Sequence, residues 1–237
     1  ALRASRATAR RGRPLPSMYG GTGRWWLTAR LVGEPSAGRV EAYAQLLLNR
    51  YGVVTREAVE ADGGPATWSE VLDALKRMEW KGQVRQGYFI AGLTGAQFAR
   101  PDAVERLRQA REQADGPMRL LPATDPSNPY GAILPWPGEG RLSRLPSNYL
   151  VLAGGQPVLA VESYGKRLTP LVPLEGEHLL QALATLPDLL KGPAPVRSLR
   201  RIEVLEWGEE PVQQSPAAEA LAAAGFERAP RKLVYYP

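Results

Sequence analysis

The sequence contains no cysteine and a single histidine among its 237 residues. Disulfides, thiol nucleophiles and cysteine-based zinc sites are therefore excluded, and a histidine-rich metal site is excluded by count. The histidine, His178, lies in an amphipathic helical pattern and is expected at a helix surface or at the edge of a core. No apolar run reaches the roughly 18 residues that a membrane span requires, and there is no signal-peptide pattern. These absences favour a globular cytoplasmic protein without a metal or another cofactor.

Positive charge is in excess, but the excess is confined to the amino-terminal end. The net charge is +6, and residues 1–35 contain seven arginines against Glu34 alone, so the rest of the chain is balanced. Residues 1–17 have almost no aromatic or β-branched side chains, and we expect them to form a basic disordered arm. Such an arm either serves as a linker or tracks phosphates, and its composition leaves both roles open.

Residues 51–98 carry the clearest structural pattern in the chain. A short helix is predicted from Thr55 to Glu60, followed by a Gly-Gly-Pro turn and a second helix that begins at Thr67. Thr67 and Glu70 have the spacing of a capping box, in which each side chain satisfies a backbone N–H of the first helical turn. Apolar residues then recur at helical spacing. The β-forming run from Val84 to Ile90 predicts a strand or one limb of a hairpin.

Two more amphipathic helices flank this stretch. One is predicted from Ser36, which can cap it, to Arg50, and the other runs from Pro101 to Gln113. The resulting order of helix, helix, turn, helix and hairpin is that of a winged helix-turn-helix. We therefore predict a winged-helix domain over residues 18–116.

From residue 117 the chain changes to short apolar segments separated by turn-forming residues. Five prolines lie within residues 120–137, which predicts a rigid connection rather than a flexible one. Three strand patterns then follow with short turns between them, at Tyr149 to Ala153, Val158 to Glu162 and Leu168 to Val172, and they predict an antiparallel meander. Two helices and two further strands complete the pattern. The predicted fold class is α+β, with residues 117–237 forming a β-rich, barrel-like domain.

Several of these segments also match a known family. The segments are, in chain order, GRWW, RYGVVTREAV, GYFIAGLTGAQFA, ATDPSNPYGAILPWP and AAGFERAPRKL. Together they resemble the C-terminal region of the bacterial large helicase-related proteins, called Lhr, over nearly all of the chain from Gly20. The resemblance implies a winged helix followed by a β-barrel, similar in arrangement to the AlkZ-type DNA glycosylases. It also implies a place after an ATP-driven superfamily 2 helicase core, and some family members are reported as uracil-DNA glycosylases through this region.

The motifs of a helicase core are not in this sequence. It has no GxxxxGK[ST] phosphate loop and no DEAH-type acidic box. We therefore expect no ATPase activity from this chain alone, which is either a fragment of a longer protein or a stand-alone homologue. The expected partners are single-stranded or forked DNA and an attached or separate helicase core. Association into a homo-oligomer is left open, and no membrane partner is expected.

Candidate DNA contacts lie in the amino-terminal part and on the winged helix. Arg24, Trp25 and Trp26 follow a glycine-rich turn, where the tryptophans can stack on a base or belong to a core. The winged-helix residues expected to contact DNA are Arg56, Lys76, Arg77, Lys81, Arg85, Gln86 and Tyr88. Acidic residues share the exposed face of the second helix with these cations, and winged helices also dock proteins. A protein-docking or oligomerisation module is therefore an alternative.

A candidate for catalysis lies on the proline-rich loop. Base excision requires a carboxylate or an amide that stabilises a cationic sugar and orients water. Asp125 is the best-placed acid, with Asn128 and Tyr130 beside it as candidate DNA contacts, whereas Glu162 and Glu203 lie in strand patterns and are weaker candidates. Asp125 and Asn128 can equally build Asx turns before the prolines that follow them. No stretch matches the glutamine-containing catalytic motif of the AlkZ-type enzymes.

The sequence therefore supports one principal interpretation and two alternatives. We predict a DNA-binding accessory module of an Lhr-type superfamily 2 DNA repair helicase, which holds or positions a strand. A DNA glycosylase for uracil or an alkylated base, using Asp125, is the first alternative. The protein-docking or oligomerisation module is the second.

Overall fold

The amphipathic patterns of the first half form helices and short strands in the predicted order. The computed structural model describes residues 38–112, 116–137, 142–191 and 199–237. The elements up to residue 112 are α1 (Arg39–Tyr51), β1 (Val53–Val54), α2 (Arg56–Asp62), α3 (Trp68–Trp80), β2 (Arg85–Gly87), β3 (Gln97–Ala99) and α4 (Pro101–Glu112). Gly38 precedes α1 without a side-chain cap. The predicted cap Ser36 and the arm over residues 1–17 lie outside the described residues.

The three short strands form one antiparallel sheet against the first three helices. The strand order is β1-β3-β2, and Phe98 of the central strand pairs with Val54 on one side and with Gln86 on the other. Leu47 of α1, Leu75 of α3 and Phe98 are fully buried in the core that these elements share. This arrangement is a winged helix-turn-helix, as the sequence predicts, with β2 and β3 as the limbs of the wing.

Helix α3 begins and ends where its local sequence requires. Thr67 accepts a hydrogen bond from the Glu70 N–H, and the Glu70 carboxylate accepts one from the Thr67 N–H at 2.8 Å, so the capping box is confirmed. At the other end, the Gln83 N–H donates to the Met78 carbonyl at 2.9 Å. Gly82 adopts a φ of +72° there, a conformation that glycine reaches without the steric cost of a side chain.

A carboxylate with three donors ties α2 to the end of α1. The Asp62 side chain is 5% exposed and forms an ion pair with Arg50. It also accepts hydrogen bonds from the Tyr43 hydroxyl at 3.0 Å and the Tyr51 hydroxyl at 2.9 Å. Burial by itself would raise the pKa of Asp62, but these donors together hold the pKa below its ordinary value. The charged form of Asp62 is therefore the form that the fold stabilises.

The second half contains more strands than its sequence pattern predicts. Its elements are β4 (Arg119–Pro122), β5 (Tyr149–Ala153), β6 (Gln156–Glu162), β7 (Arg167–Pro170), α5 (Gly176–Leu183), β8 (Ile202–Val204), β9 (Glu206–Trp207), β10 (Glu210–Pro211), α6 (Ala217–Ala223), β11 (Glu227–Ala229) and β12 (Lys232–Tyr235). The meander β5-β6-β7 is antiparallel as predicted. His178 lies exposed on α5, also as predicted.

The largest sheet of this half has a core on each of its faces. It contains six strands in the order β10-β9-β7-β6-β5-β4. Because successive residues of a strand point to opposite faces, Val151 and Leu159 pack with α5 and α6 on one side. Leu150 and Ala160 pack on the other side in a smaller cluster with Ala123, a residue of the proline-rich stretch. The proline-rich stretch thus covers one face of the sheet.

The α+β fold is confirmed, but its β-rich part differs from a closed barrel. Within residues 116–137, 142–191 and 199–237, the edge strands β10 and β4 do not pair with each other, and β11-β12-β8 form a separate sheet. The described residues from Gly38 onward form one compact unit, and the predicted domain boundary between residues 116 and 117 stays a prediction. Among the described residues, the helices are too short or too polar to cross a bilayer.

The Asp62 cluster generates a prediction about stability and pH. At pH 7, Asp62→Asn should lower the free energy of unfolding by about 1.5–3 kcal/mol, because three donors lose a charged acceptor. Since the folded-state pKa of Asp62 is lowered, its stabilisation is present above the ordinary pKa of about 4 and is lost as pH falls through the folded-state pKa. Urea unfolding from pH 7 to pH 3 should therefore show the two proteins converging. Asp73→Asn, a change at an exposed carboxylate, is the control and should match wild type throughout.

Candidate nucleic-acid interface

The exposed face of α3 changes in charge along its length. Residues three and four apart lie on one face of a helix, and this face carries Glu70 and Asp73 first, then Lys76 and Arg77, then Trp80. Glu70 is occupied by the capping box. The C-terminal half of α3 is therefore the part that can approach an anionic partner, whereas Asp73 opposes it in the first half.

Two aromatic side chains stand almost entirely in solvent at this end of α3 and on the wing. Trp80, the last residue of α3, is 92% exposed, and Tyr88, which follows β2, is 91% exposed. Tyr88 is a candidate from the sequence, but Trp80 is a residue that our sequence interpretation missed. The signal was present, because Trp80 lies two residues after the buried Met78 and hence about 200° further around the helix.

A hydrogen bond joins the end of α3 to the wing. The Gln86 N–H of β2 donates to Glu79 Oε1 at 2.9 Å. Glu79 is adjacent to Trp80 in sequence, and Gln86 is two residues from Tyr88. Arg85 is exposed on the same strand. The structure therefore brings the last turn of α3 and the first limb of the wing together.

The conformation of the wing depends on a buried amide. Gln97 of β3 is fully buried, and its Oε1 accepts hydrogen bonds from the N–H groups of Phe89 at 2.9 Å and Ile90 at 2.8 Å. Its Nε2 donates to the Ile90 carbonyl at 3.0 Å. Phe89 also packs over Gly87, where a Cβ would come within 2.8 Å of the ring. Tyr88 is thus held between anchored neighbours.

The five cations of the winged helix that are predicted to contact DNA differ in whether a carboxylate pairs with them. Lys81 pairs with Glu41 at 2.9 Å, and the hydrogen bond from Lys81 lowers the pKa of Glu41. Arg56 Nε lies 3.7 Å from Glu60 Oε1 within α2. In the described part of the chain, the three remaining cations form no ion pair with a carboxylate. They are Lys76, Arg77 and Arg85. The predicted contacts Arg24, Trp25 and Trp26 lie outside the described residues.

A groove between α1 and α4 also carries arginines, but carboxylates balance their charge. Its lining includes Arg50, Arg100 and Arg106. Arg50 pairs with Asp62, while Arg100 and Arg106 lie 3.0 Å and 2.7 Å from Asp102. The surface formed by α3 and the wing is therefore the stronger candidate for an anionic ligand.

The proline-rich stretch uses its polar side chains to build turns. Asp125 Oδ1 accepts hydrogen bonds from the Ser127 N–H at 2.8 Å and from the Ser127 hydroxyl at 2.5 Å. These bonds hold the pKa of Asp125 below its ordinary value. Asn128 is 2% exposed, donates to the Ala123 carbonyl at 2.9 Å and accepts from the Tyr130 N–H. Both side chains therefore make Asx-type turns. The buried amide of Asn128 supports the loop, and a DNA contact by this residue stays a prediction.

The same loop is stiffened by a guanidinium and by aromatic packing. Arg144 donates to the backbone carbonyls of Asn128 at 2.9 Å and Tyr130 at 3.1 Å. The Tyr130 ring stacks on Trp136 with centroids 6.5 Å apart, and its hydroxyl donates to the Gly155 carbonyl at 3.0 Å. Burial raises the pKa of Tyr130. The structure thus places Asp125 on a rigid support, at a partly exposed position.

The other acidic candidates do not meet Asp125 in a cluster. Glu203 lies between Arg201 at 2.8 Å and Lys232 at 2.9 Å, and the hydrogen bond from Lys232 lowers the pKa of Glu203. Among the described residues, no three carboxylate or imidazole side chains are grouped so that they could hold a metal ion.

Comparison with known proteins places this arrangement in a family. Residues 34–119 match the family model described as "Large helicase-related protein, winged-helix domain". The chain is 35% identical over 225 residues to "Lhr helicase/ probable uracil glycosylase" of Mycolicibacterium smegmatis, with 90% of this chain and 15% of that protein covered. It is 33% identical over 249 residues to "Lhr helicase/uracil glycosylase" of Escherichia coli K12, with 95% and 15% covered. The chain thus spans about 15% of the length of these curated relatives.

Replacing the buried amide of the wing should loosen the wing without unfolding the domain. In Gln97→Leu, the Phe89 and Ile90 N–H groups lose their acceptor, so hydrogen exchange at these two amides should accelerate at least tenfold. The free energy of unfolding should fall by about 1–3 kcal/mol, the usual cost of unpaired buried polar groups. Gln45→Leu, at a half-buried glutamine on α1, is the control. Unchanged exchange at Phe89 and Ile90 in the Gln97 variant would show that the wing holds its shape by other contacts.

Proposed function

Since the chain belongs to the large helicase-related (Lhr) family, we propose that it is a DNA-binding accessory module of an Lhr-type superfamily 2 DNA repair helicase. Its task is to hold or position a DNA strand for a helicase core that is attached to it or associates with it. The observation that carries the proposal is the group of exposed cations Lys76, Arg77 and Arg85 on α3 and β2. These side chains lie on the two elements through which winged helices contact DNA.

The charge pattern of α3 favours a helix that holds a DNA strand over a helix that lies in the major groove of a duplex and reads its sequence. A recognition helix that lies in the groove is flanked by phosphates on both sides, and Asp73 would face this negative potential. The cations Lys76 and Arg77 and the wing residue Arg85 avoid this conflict, because they lie beyond Asp73. Phosphate contacts by these residues position a strand without specifying its sequence.

Docking of another protein to the same surface is the alternative that this proposal must exclude. The charge of the chain beyond residue 35 is balanced, and winged helices can serve as protein modules. A DNA-binding surface differs from a docking surface in its salt dependence, because each neutralised phosphate releases counterions.

Removing the three cations should weaken DNA binding and flatten its salt dependence. We expect Lys76→Ala/Arg77→Ala/Arg85→Ala to bind a labelled single-stranded or forked oligonucleotide about 10- to 100-fold more weakly than wild type. The slope of log affinity against log salt should fall by about 2, since each contact with a single strand contributes about 0.7. Fluorescence anisotropy at several salt concentrations measures both quantities.

The matched control carries the same change in net charge on the β-rich half. Arg119, Lys166 and Arg228 are exposed, and their triple replacement by alanine should leave most of the affinity and slope intact. Equal losses in the two triple variants would mean that net charge alone drives binding. Wild-type affinity in the folded α3 and wing variant would favour the protein-docking role.

Excision of uracil or an alkylated base is a second candidate activity, with Asp125 as its acidic residue. The names of the two relatives include uracil glycosylase, and the similarity to AlkZ-type glycosylases remains a prediction. An aspartate carboxylate is already charged at neutral pH, and the hydrogen bonds from Ser127, which lower the pKa of Asp125, stabilise this charged form. A fixed negative charge can stabilise the cationic sugar that forms as the glycosidic bond breaks.

Replacing Asp125 by asparagine separates a catalytic role from a turn-building role. Only Oδ1 of Asp125 is hydrogen-bonded within the described residues, and the amide oxygen of asparagine can accept the same two bonds. If Asp125 is catalytic, Asp125→Asn should lower uracil release from an oligonucleotide by about 100-fold or more. Its melting temperature and DNA affinity should stay at the wild-type values. Contaminating glycosylase is blocked by a specific inhibitor, and equal release by the two proteins, or none by wild type, rejects this candidate.

A further inference from the structure

Trp80 and Tyr88 differ from the other apolar side chains at the surface of the described residues. They are 92% and 91% exposed, whereas the next most exposed large apolar residue there, Tyr236, reaches 53%. Single exposed apolar residues require no explanation. Two nearly bare aromatic rings at the same junction of a helix and a wing do require one, because exposing them to water brings the fold no stability.

Hydrogen bonds anchor the backbone on either side of the junction of α3 and the wing that carries the two rings. The hydrogen bond from the Gln86 N–H to Glu79 Oε1 joins the residue next to Trp80 to a strand that ends one residue before Tyr88. The wing residue after Tyr88 is anchored by Gln97 and packs over Gly87. A ring that is presented on a fixed backbone loses little conformational freedom when a ligand covers it.

We propose that Trp80 and Tyr88 form a stacking site for unpaired nucleobases of a single strand whose phosphates contact Lys76, Arg77 and Arg85. This inference rests on the proposed DNA-binding function and adds the chemical class that the site recognises. Every base has a π-face, so stacking on aromatic side chains is largely independent of sequence. Within a duplex both faces of a base are covered by its neighbours, and only unpaired bases offer a face to a ring.

The residues around the two rings favour a nucleic acid over a protein partner. Lys76 and Arg77 precede Trp80 on the exposed face of α3, and Arg85 precedes Tyr88 on β2. An apolar protein surface would have to strip water from these three cations without giving them an acceptor. A DNA strand offers phosphates at regular intervals between its bases, so it satisfies the cations and the rings at once.

The test combines a change in the protein with a change in the DNA. The ligands are a labelled oligothymidylate and an oligonucleotide of the same length in which tetrahydrofuran abasic residues replace the nucleosides, so that phosphates are kept and bases are removed. Wild type should bind the abasic strand about 5- to 150-fold more weakly for each base that is stacked. Trp80→Ala/Tyr88→Ala should bind the normal strand as weakly as wild type binds the abasic one, and should not discriminate between the two strands. Its salt slope should equal that of wild type.

Two variants complete the design. Trp80→Phe/Tyr88→Phe keeps two aromatic faces and should restore most of the discrimination, whereas Tyr236→Ala removes an exposed ring elsewhere and should behave as wild type. Because both rings lie in solvent, the melting temperature should not change in any variant.

The outcomes separate the stacking site from the proposed function. If the double alanine variant still discriminates between the two strands as wild type does, the stacking site is overturned but DNA binding is retained. Equal binding of both strands by wild type, with the expected loss in the Lys76, Arg77 and Arg85 variant, also overturns stacking and retains the proposed function. No binding of either strand by wild type rejects both.

Discussion

The central strand β3 is the constraint on which the candidate interface depends. All three of its residues are buried, and it pairs with β1 on one side and with β2 on the other. Phe98 fills the core beneath the three helices, while the preceding residue, Gln97, turns its amide to the wing. Because adjacent residues of a strand point to opposite sides, one strand fixes both the position of α3 and the shape of the wing. A shift of one residue in this register would exchange the core residue and the wing anchor.

The exposed charge along α3 changes from negative near its N-terminus to positive near its C-terminus. Glu70 is engaged in the capping box, and Asp73 would repel a phosphate, so the exposed positive charge lies on the C-terminal half of the helix and on the wing. Pairing of Lys81 with Glu41 restricts the region further. The resulting surface is small, combines cations with aromatic rings and lies on rigid elements. These properties fit the proposed role of holding a DNA strand at one place.

The proline-rich stretch has a different physical character. Its turns are closed by Asp125 and Asn128, its carbonyls are gathered by Arg144, and its aromatic pair lies over a face of the six-stranded sheet. Fixed φ angles lower the entropy that this segment loses on folding. The length of the segment therefore does not imply mobility, and Asp125 is held in place whether or not it takes part in chemistry.

Local sequence was sufficient for the features that depend on a few neighbouring residues. The capping box at Thr67 and Glu70, the helical stripe of α3, the order of the winged-helix elements and the meander β5-β6-β7 all follow from spacing and turn chemistry. The family resemblance rested on short motifs and is confirmed by the matched domain and relatives. Helical periodicity also places Lys76 and Arg77 on the exposed face of α3, whereas Arg85 lies on the strand that follows.

Tertiary structure decided what local patterns cannot encode. Strands β4, β9, β10 and β11 are two to four residues long, too short for a periodic signal. The pairings of β4 with β5 and of β9 with β7 also join segments that are distant in sequence. Whether the β-rich half closes into a barrel depends on the pairing of edge strands, and among the described residues they remain apart. Whether Lys81 is paired, whether Gln97 is buried and whether Trp80 and Tyr88 stay exposed depend on contacts with residues of other elements. The sequence by itself determined the elements and their order, while packing between distant residues determined which of their side chains remain available to a partner.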